Sequence, residues 1–329
     1  MTLVEIWFLI IALLWTGFFL LEGFDFGVGM LHGAIGRTET GRQTVISTIG
    51  PLWDGNEVWL IVAGAAMFAA FPGWYATLFS GFYLALVLLL GALMVRGTSF
   101  EYRGKRDSTT WRFTWSCLLT AGSLLAPLLI GVALGDLLHG LPINAAHEYT
   151  GSFWTLLQPY GIYTGITLVV LCLAHGATFI ALKTTDDLRR RAVRLARLIA
   201  PAAALVLLAF VIWTHSIAHK GLLPNPVEIS GVLAMAAAAW LVADDREGWA
   251  FAATTIAITL TVLSIFSELY PHVMISSTNS AYNLTIHNTA SPGYPLRVMT
   301  IVVVIALPVV LGYTAWTYYV FRRRLKEPR

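Results

Sequence analysis

Nine stretches of this chain are apolar over roughly the 20 residues that a helix needs to cross the hydrocarbon core of a bilayer. They run over 4–30, 51–71, 74–95, 113–135, 154–182, 193–214, 229–243, 249–268 and 294–321, the seventh being short. Backbone in lipid must satisfy its own hydrogen bonds, so each stretch reads as a helix. Composition removes the alternatives. Hydrophobic residues make up 57 % of the 329 and charged residues 12 %, with a mean hydropathy of +0.72. A soluble domain carries about 25 % charged residues, and too few polar side chains remain here to cover the apolar surface. A cytosolic enzyme, a disordered chain and a secreted disulfide scaffold are excluded. The first stretch lacks a basic leader and is too long for a cleaved signal peptide. Cys117 and Cys172 sit inside apolar runs and read as core thiols, and no CxxC or Cys/His cluster suggests a metal.

Lys and Arg mark the cytoplasmic side of a membrane protein. Nineteen of the 21 fall in one set of loops, from Arg37 to Arg246, together with the tail residues Arg322, Arg323, Arg324, Lys326 and Arg329. The other side holds only Lys220 and Arg297. The N-terminus is therefore expected outside and the C-terminus in the cytoplasm, which an odd number of spans also requires. The fold class is all-α: a polytopic integral membrane protein of about nine transmembrane helices in a single membrane domain over 1–329. Trp15-Thr16-Gly17 and Tyr163-Thr164-Gly165 open their spans alike. That echo hints at two four-helix bundles plus one extra helix. The tail FRRRLK reads as a membrane-surface anchor, not a nucleic-acid site. The polar outer loop 269–293 serves either as cover for a partner or as a long connection. Trp74, Trp154, Tyr160 and Trp249 lie at span ends, as an aromatic belt would.

Apart from Glu5 and Glu268 at the outer ends of 4–30 and 249–268, four of the 18 acidic residues lie inside spans: Glu22, Asp25, Asp54 and Glu57. Each costs about 3 kcal/mol at mid-membrane and so needs a reason. Glu22 and Asp25 share one helix face, as do Asp54 and Glu57. Both pairs fall towards the cytoplasmic side of adjacent helices, and no Lys or Arg in the spans is expected to match them. That arrangement suits proton or cation handling. The bland alternative is helix capping and first-turn residues at the interface. Gly23 and Gly27, like Gly29 and Gly33, have the spacing that lets helices approach closely. Of eight histidines only His175 is well inside a span, and the others, His219 among them, lie near span ends. A bis-histidine haem site would need more, so His175 reads as a hydrogen-bonded core residue.

Three motifs carry the reading further: GFDFGVG at 23–29, GPLWDGNEVWL at 50–60 and RGTSFEYR at 96–103. In this order and spacing they closely resemble subunit II of the cytochrome bd-type quinol:oxygen oxidases. The resemblance implies an oxidoreductase complex of the bacterial cell membrane that oxidises quinol and reduces dioxygen to water, taking protons from the cytoplasm. It implies haem b and haem d on the partner, subunit I, in a heterodimer, with a small single-span accessory subunit in some assemblies. Some members hold a quinone in subunit II, so a bound quinone or lipid in this chain belongs to the expectation. Carried over by motif, Asp54 is the first candidate for the proton route and Asp25 the second, with Glu57 and Glu22 beside them. Trp59 matches a tryptophan on the family's oxygen path. Arg96 and Glu101 are expected to pair and order the inlet. The family often has Gln at the place of Glu57.

Two rival readings stand beside this one. A proton- or cation-coupled secondary transporter would explain the buried carboxylates, but it predicts a pair of broken half-helices, and Pro127 and Pro201 interrupt single helices only. A purely structural partner would conduct nothing.

Overall fold

The computed structural model describes residues 1–218 and 224–328. His219, Lys220 and Arg329 lie outside the described residues. Among these there are eleven helices: α1 (Leu3–Ile35), α2 (Glu39–Ser47), α3 (Trp53–Ala70), α4 (Pro72–Gly81), α5 (Tyr83–Tyr102), α6 (Thr109–His139), α7 (Pro159–Lys183), α8 (Asp186–Ala218), α9 (Pro226–Ala243), α10 (Glu247–Leu269) and α11 (Gly293–Val320). Eight are long and apolar enough to cross a membrane: α1, α5, α6, α7, α8, α9, α10 and α11. The remaining expected span is α3, whose first turn, Trp53-Asp54-Gly55-Asn56-Glu57, lowers its hydropathy. The expected span 74–95 is split at Phe82 into α4 and α5, although hydrogen bonds Phe82 N–H to Leu78 O and Leu86 N–H to Phe82 O carry the helix through the bend.

The helix ends are set by local chemistry. Thr2 caps α1 in a capping box with Glu5, and Asn225 with Glu228 does the same for α9, where Pro226 fills the first helical position. Short polar contacts then sort the loops onto two ends of the bundle. At one end Arg103 meets Glu39, and Arg191 donates to Ile35 O. At the other, Trp7 donates to Leu296 O, Ser291 N–H to Ala70 O and Leu141 N–H to Ile275 O. The basic loops thus share one end, as the charge count requires.

The helices pack as two groups. α1, α3, α5 and α6 form one, α7, α8, α9 and α10 the other, joined through α1 against α7 and α6 against α7. α11 lies outside both, against α1 and α3. Glycines allow the joins. A Cβ on Gly27 would overlap Cys172 O and lie 2.7 Å from Gly176 Cα, and one on Gly29 would overlap the Ser123 hydroxyl. Gly23 and Gly33 have room, so the close approach uses Gly27 towards α7 and Gly29 towards α6 rather than both spaced pairs.

Several peripheral expectations are corrected. Cys117 is exposed on the lipid side of α6, and only Cys172 is a core thiol. Trp154 and Trp249 are exposed as belt residues should be, whereas Trp74 and Tyr160 are buried in the core. The outer loop is folded, with a two-stranded hairpin of β1 (His272–Met274) and β2 (Leu284–Thr285) and buried Val273, Met274, Leu284 and Ile286. The basic tail, whose Arg322, Arg323 and Arg324 are exposed, also folds back as a strap. Leu325 N–H donates to Lys183 O at 2.7 Å, the Lys183 ammonium meets Phe321 O and Arg323 O, and Thr38 meets Glu327. Free backbone carbonyls at the end of α7 bind it there.

Gly27→Leu should lower the midpoint of thermal aggregation of the detergent-solubilised protein, by overpacking worth at least about 1–3 kcal/mol. Gly33→Leu should leave it unchanged.

Candidate functional site: a buried charge cluster

The GFDFG segment places Glu22 and Asp25 one turn apart on α1, and both are fully buried. Opposite them on α5 lies Arg96, also fully buried. Its guanidinium is 2.6 Å from Glu22 Oε1 and 3.4 Å from Glu57 Oε2 on α3. It also rests over Phe26 and Phe100, 4.8 and 5.2 Å from their ring centres, where the negative ring faces attract a cation. The expectation that the spans hold no matching cation is therefore wrong. Arg96 closes the third predicted span and supplies the positive charge.

The expected Arg96–Glu101 pair does not form. Five residues on a helix turn through about 140° beyond a full revolution, so the two side chains leave α5 on different faces. Glu101 is exposed, while Arg96 points into the bundle.

Asn56 and Tyr318 complete the cluster, and neither stood out in the sequence. Asn56 is buried on α3 and donates through Nδ2 to Asp25 Oδ2 at 2.7 Å and to Leu21 O at 3.2 Å. Tyr318, near the end of α11, donates its hydroxyl to Asn56 Oδ1 at 3.0 Å. The WDGN motif was the available signal for Asn56. No local pattern marks Tyr318, which is 262 residues away.

Asp54, the first candidate, stands apart. It is exposed and lines the mouth of a groove of about 930 Å³ between α3 and α11, together with Asn56 and Tyr318. Glu57 is intermediate, its side chain 19 % exposed. From Asp54 through Glu57 to Glu22 and Asp25 the carboxylates pass from surface to interior. Trp59 lines the same groove and presses its indole on Gly17, where a Cβ would come within 2.7 Å.

Among the described residues, four further buried carboxylates lie outside the expected set: Asp136 on α6, Glu228 on α9, and Glu247 and Glu268 on α10. Asp136 in the last turns of α6 is fully buried against Gly161 of α7. The predicted span ended at residue 135, so it was counted with the loops. His175 uses both ring nitrogens, Nδ1 with Thr254 Oγ1 at 2.8 Å and Nε2 with Leu20 O at 3.4 Å, and stacks on Phe251. Among the described residues no group of three or more His, Cys, Asp or Glu is placed to hold a metal ion. With His175 so engaged, the described residues do not fit a pair of axial haem ligands.

Comparison with known proteins gives a consistent result. The profile of the family described as cytochrome bd terminal oxidase subunit II matches residues 3–321. The chain is 42 % identical to cytochrome bd ubiquinol oxidase subunit 2 of Bacillus subtilis (strain 168), over 98 % of each chain. It is 36 % identical to cytochrome bd-I ubiquinol oxidase subunit 2 of Escherichia coli (strain K12), over 98 % of this chain and 95 % of that one. Among solved structures, bd oxidase from Geobacillus thermodenitrificans superposes with a TM-score of 0.76 at 17 % identity, covering 98 % of this chain and 99 % of that one. That match concerns the fold.

Arg96→Leu should destabilise the protein by about 3–5 kcal/mol, because it strands buried carboxylates without their cation. Glu22→Gln, which leaves Arg96 its Glu57 partner, should cost less. Thermal unfolding followed by tryptophan fluorescence in detergent ranks the two.

Proposed function

The chain belongs to the cytochrome bd terminal oxidase subunit II family, and we propose that its buried charge cluster carries protons from the cytoplasm towards the site of dioxygen reduction. It is a subunit of a quinol oxidase, a multi-pass protein of a bacterial membrane, and works with subunit I. The observation that carries the proposal is the graded exposure of four carboxylates that end on a fully buried arginine.

Reducing dioxygen inside a membrane consumes protons, and the low dielectric requires each electron to be matched by one. In this reading Asp54 collects protons at the groove mouth, where it is solvated. Glu57 passes them inward, and Glu22 and Asp25 hold them. Arg96 compensates the negative charge, so that protonation changes the cluster between states of small net charge. Glu101, exposed near the inner end of α5, acts as a surface collector and not as a partner of Arg96. Trp59 borders an apolar groove through which dioxygen, being more soluble in hydrocarbon than in water, enters from the bilayer.

Oxidases of this family work with haem, which supplies the redox centre. The described residues do not fit its ligation, which supports haem b and haem d on subunit I, the heterodimer partner. Exposed helix faces leave room for lipid and for a small single-span subunit. The groove between α3 and α11 is long and apolar, with polar residues at its inner mouth, which suits a quinone or a lipid chain.

The transporter reading loses support because the bend at Phe82 is bridged by hydrogen bonds and is not one of a pair of half-helix breaks. The structural-partner reading is separated by kinetics. Asp54→Asn and Asp25→Asn should each slow quinol-driven oxygen consumption about tenfold, some 1.4 kcal/mol of barrier. The reduced-minus-oxidised haem spectrum of the purified complex should not change. Wild-type turnover in both variants at full haem content removes the cluster from the proton route.

A further inference from the structure

α11 is the least embedded helix. Leu296 is its one buried residue among those described, and the groove holds its middle away from α3. Polar contacts tie it down at its ends. At the outer end Trp7 Nε1 donates to Leu296 O at 3.2 Å and Thr300 Oγ1 at 3.0 Å. At the inner end the Lys183 ammonium holds Phe321 O, and the Tyr318 hydroxyl donates to Asn56 Oδ1. Only the last of these reaches the carboxylates.

We propose that Tyr318 is a positioning residue for proton transfer, acting through Asn56 to fix which oxygen of Asp25 takes the proton. The inference rests on the proton-route reading above and adds to it a residue on a different helix.

The chemistry of the amide supports this. A carboxamide has one oxygen that accepts and one NH2 that donates. Here the NH2 faces two acceptors, Leu21 O and Asp25 Oδ2. Reversing the amide would set its oxygen against both. The oxygen is then turned outward and needs a donor, because a buried unmet acceptor costs about 1–3 kcal/mol. Tyr318 is that donor, and its ring is held edge-on to Phe24, 6.3 Å between centres. An amide neither gains nor loses a proton readily near neutrality, so Asn56 orients and does not conduct. By engaging Oδ2 it leaves Oδ1, which receives no N–H or hydroxyl donor, as the atom for the mobile proton, with the Glu22 carboxyl within hydrogen-bonding reach of Asp25. The ionisable groups around Asp25 are Glu22 on its own helix, Glu57 on α3, Arg96 on α5 and Tyr318 on α11. The lone pairs of the tyrosine oxygen remain free to accept from water at the groove mouth, where Asp54 also lies.

The test uses the intact oxidase complex. Tyr318→Phe keeps the ring and its contact with Phe24 and removes only the hydroxyl. Turnover should fall about tenfold, the scale on which a small misplacement of reacting groups acts. The pH profile should shift, the solvent deuterium isotope effect should grow, and the haem spectrum should stay unchanged. In an Asn56→Leu background the same substitution should add nothing further, since the two act as one unit. If Tyr318→Phe lowers thermal stability but keeps the wild-type turnover and pH profile, Tyr318 is only a tether and the proposal falls. An additive effect with Asn56→Leu overturns the route through Asn56. Asp25→Asn, measured alongside, separates the two levels: slow Asp25→Asn with normal Tyr318→Phe sinks this inference alone, and normal rates in both sink the proton route itself.

Discussion

The ion pair between Arg96 and Glu22 sets the terms for the rest of the structure. Both groups are fully buried, and each would be expensive alone in a bilayer. Together, with Glu57 on the far side of the guanidinium and two phenyl faces beside it, they form a set that tolerates burial. The helices must come close for this to work. Gly122 on α6 allows it: a Cβ there would lie 2.5 Å from Ala92 O and 2.9 Å from Arg96 Cβ. The close crossing of α5 on α6 and of α6 on α1 at Gly29 and Ser123 thus brings Arg96 to Glu22. Small residues in this protein serve electrostatics as much as packing.

Much of this was legible in the residues. The spans follow from the apolar runs because lipid allows little besides helices, and the sidedness follows from nineteen basic residues on one face. Burial of Glu22 and Asp25 follows from their depth in a long apolar helix. Which cation meets them was not legible. Arg96 and Glu101 are near in sequence and opposite in charge, yet helical phase separates them, while Glu22 is 74 residues away and adjacent in space. Exposure of Asp54 was legible as the alternative of a first-turn residue at the interface, because the chain is only in the first turn of α3 there. Tyr318 carried no local signal, since its role arises from packing of the last helix on the third. Asp136 was lost to an error of one residue in a span boundary, the least certain part of any such reading.

The two bundles differ in how they use polar groups, although their packing is similar. In the second, His175 and Tyr160 pair with neutral partners, Thr254 and Thr214, each at 2.8 Å, and the buried carboxylates Glu228, Glu247 and Glu268 stand at helix ends. The first holds its carboxylates Glu22 and Asp25 well inside α1, with the arginine beside them. The second bundle serves as the wall against which α1 is pressed, through Gly27 on Gly176.

Net charge gives the arrangement its direction. Glu22, Asp25 and Glu57 carry three negative charges when ionised, and Arg96 returns one. Two like charges about 4 Å apart repel by about 4 kcal/mol at the effective dielectric of a protein. A cluster left at that charge would be driven to take up protons or cations from wherever they can reach it. Access is at the exposed end, where Asp54 and the partly exposed Glu57 stand at the groove mouth. At the buried end of the cluster Arg96 is fully enclosed and flanked by aromatic rings. On the proposed route, uptake therefore begins on the cytoplasmic side. Under the same proposal, an electron arriving at the redox centre of the complex would deepen the negative potential felt here and strengthen that pull. In the proposed route no moving part is needed to couple the electron to its proton: the same unbalanced charge that makes the cluster costly to bury makes it responsive.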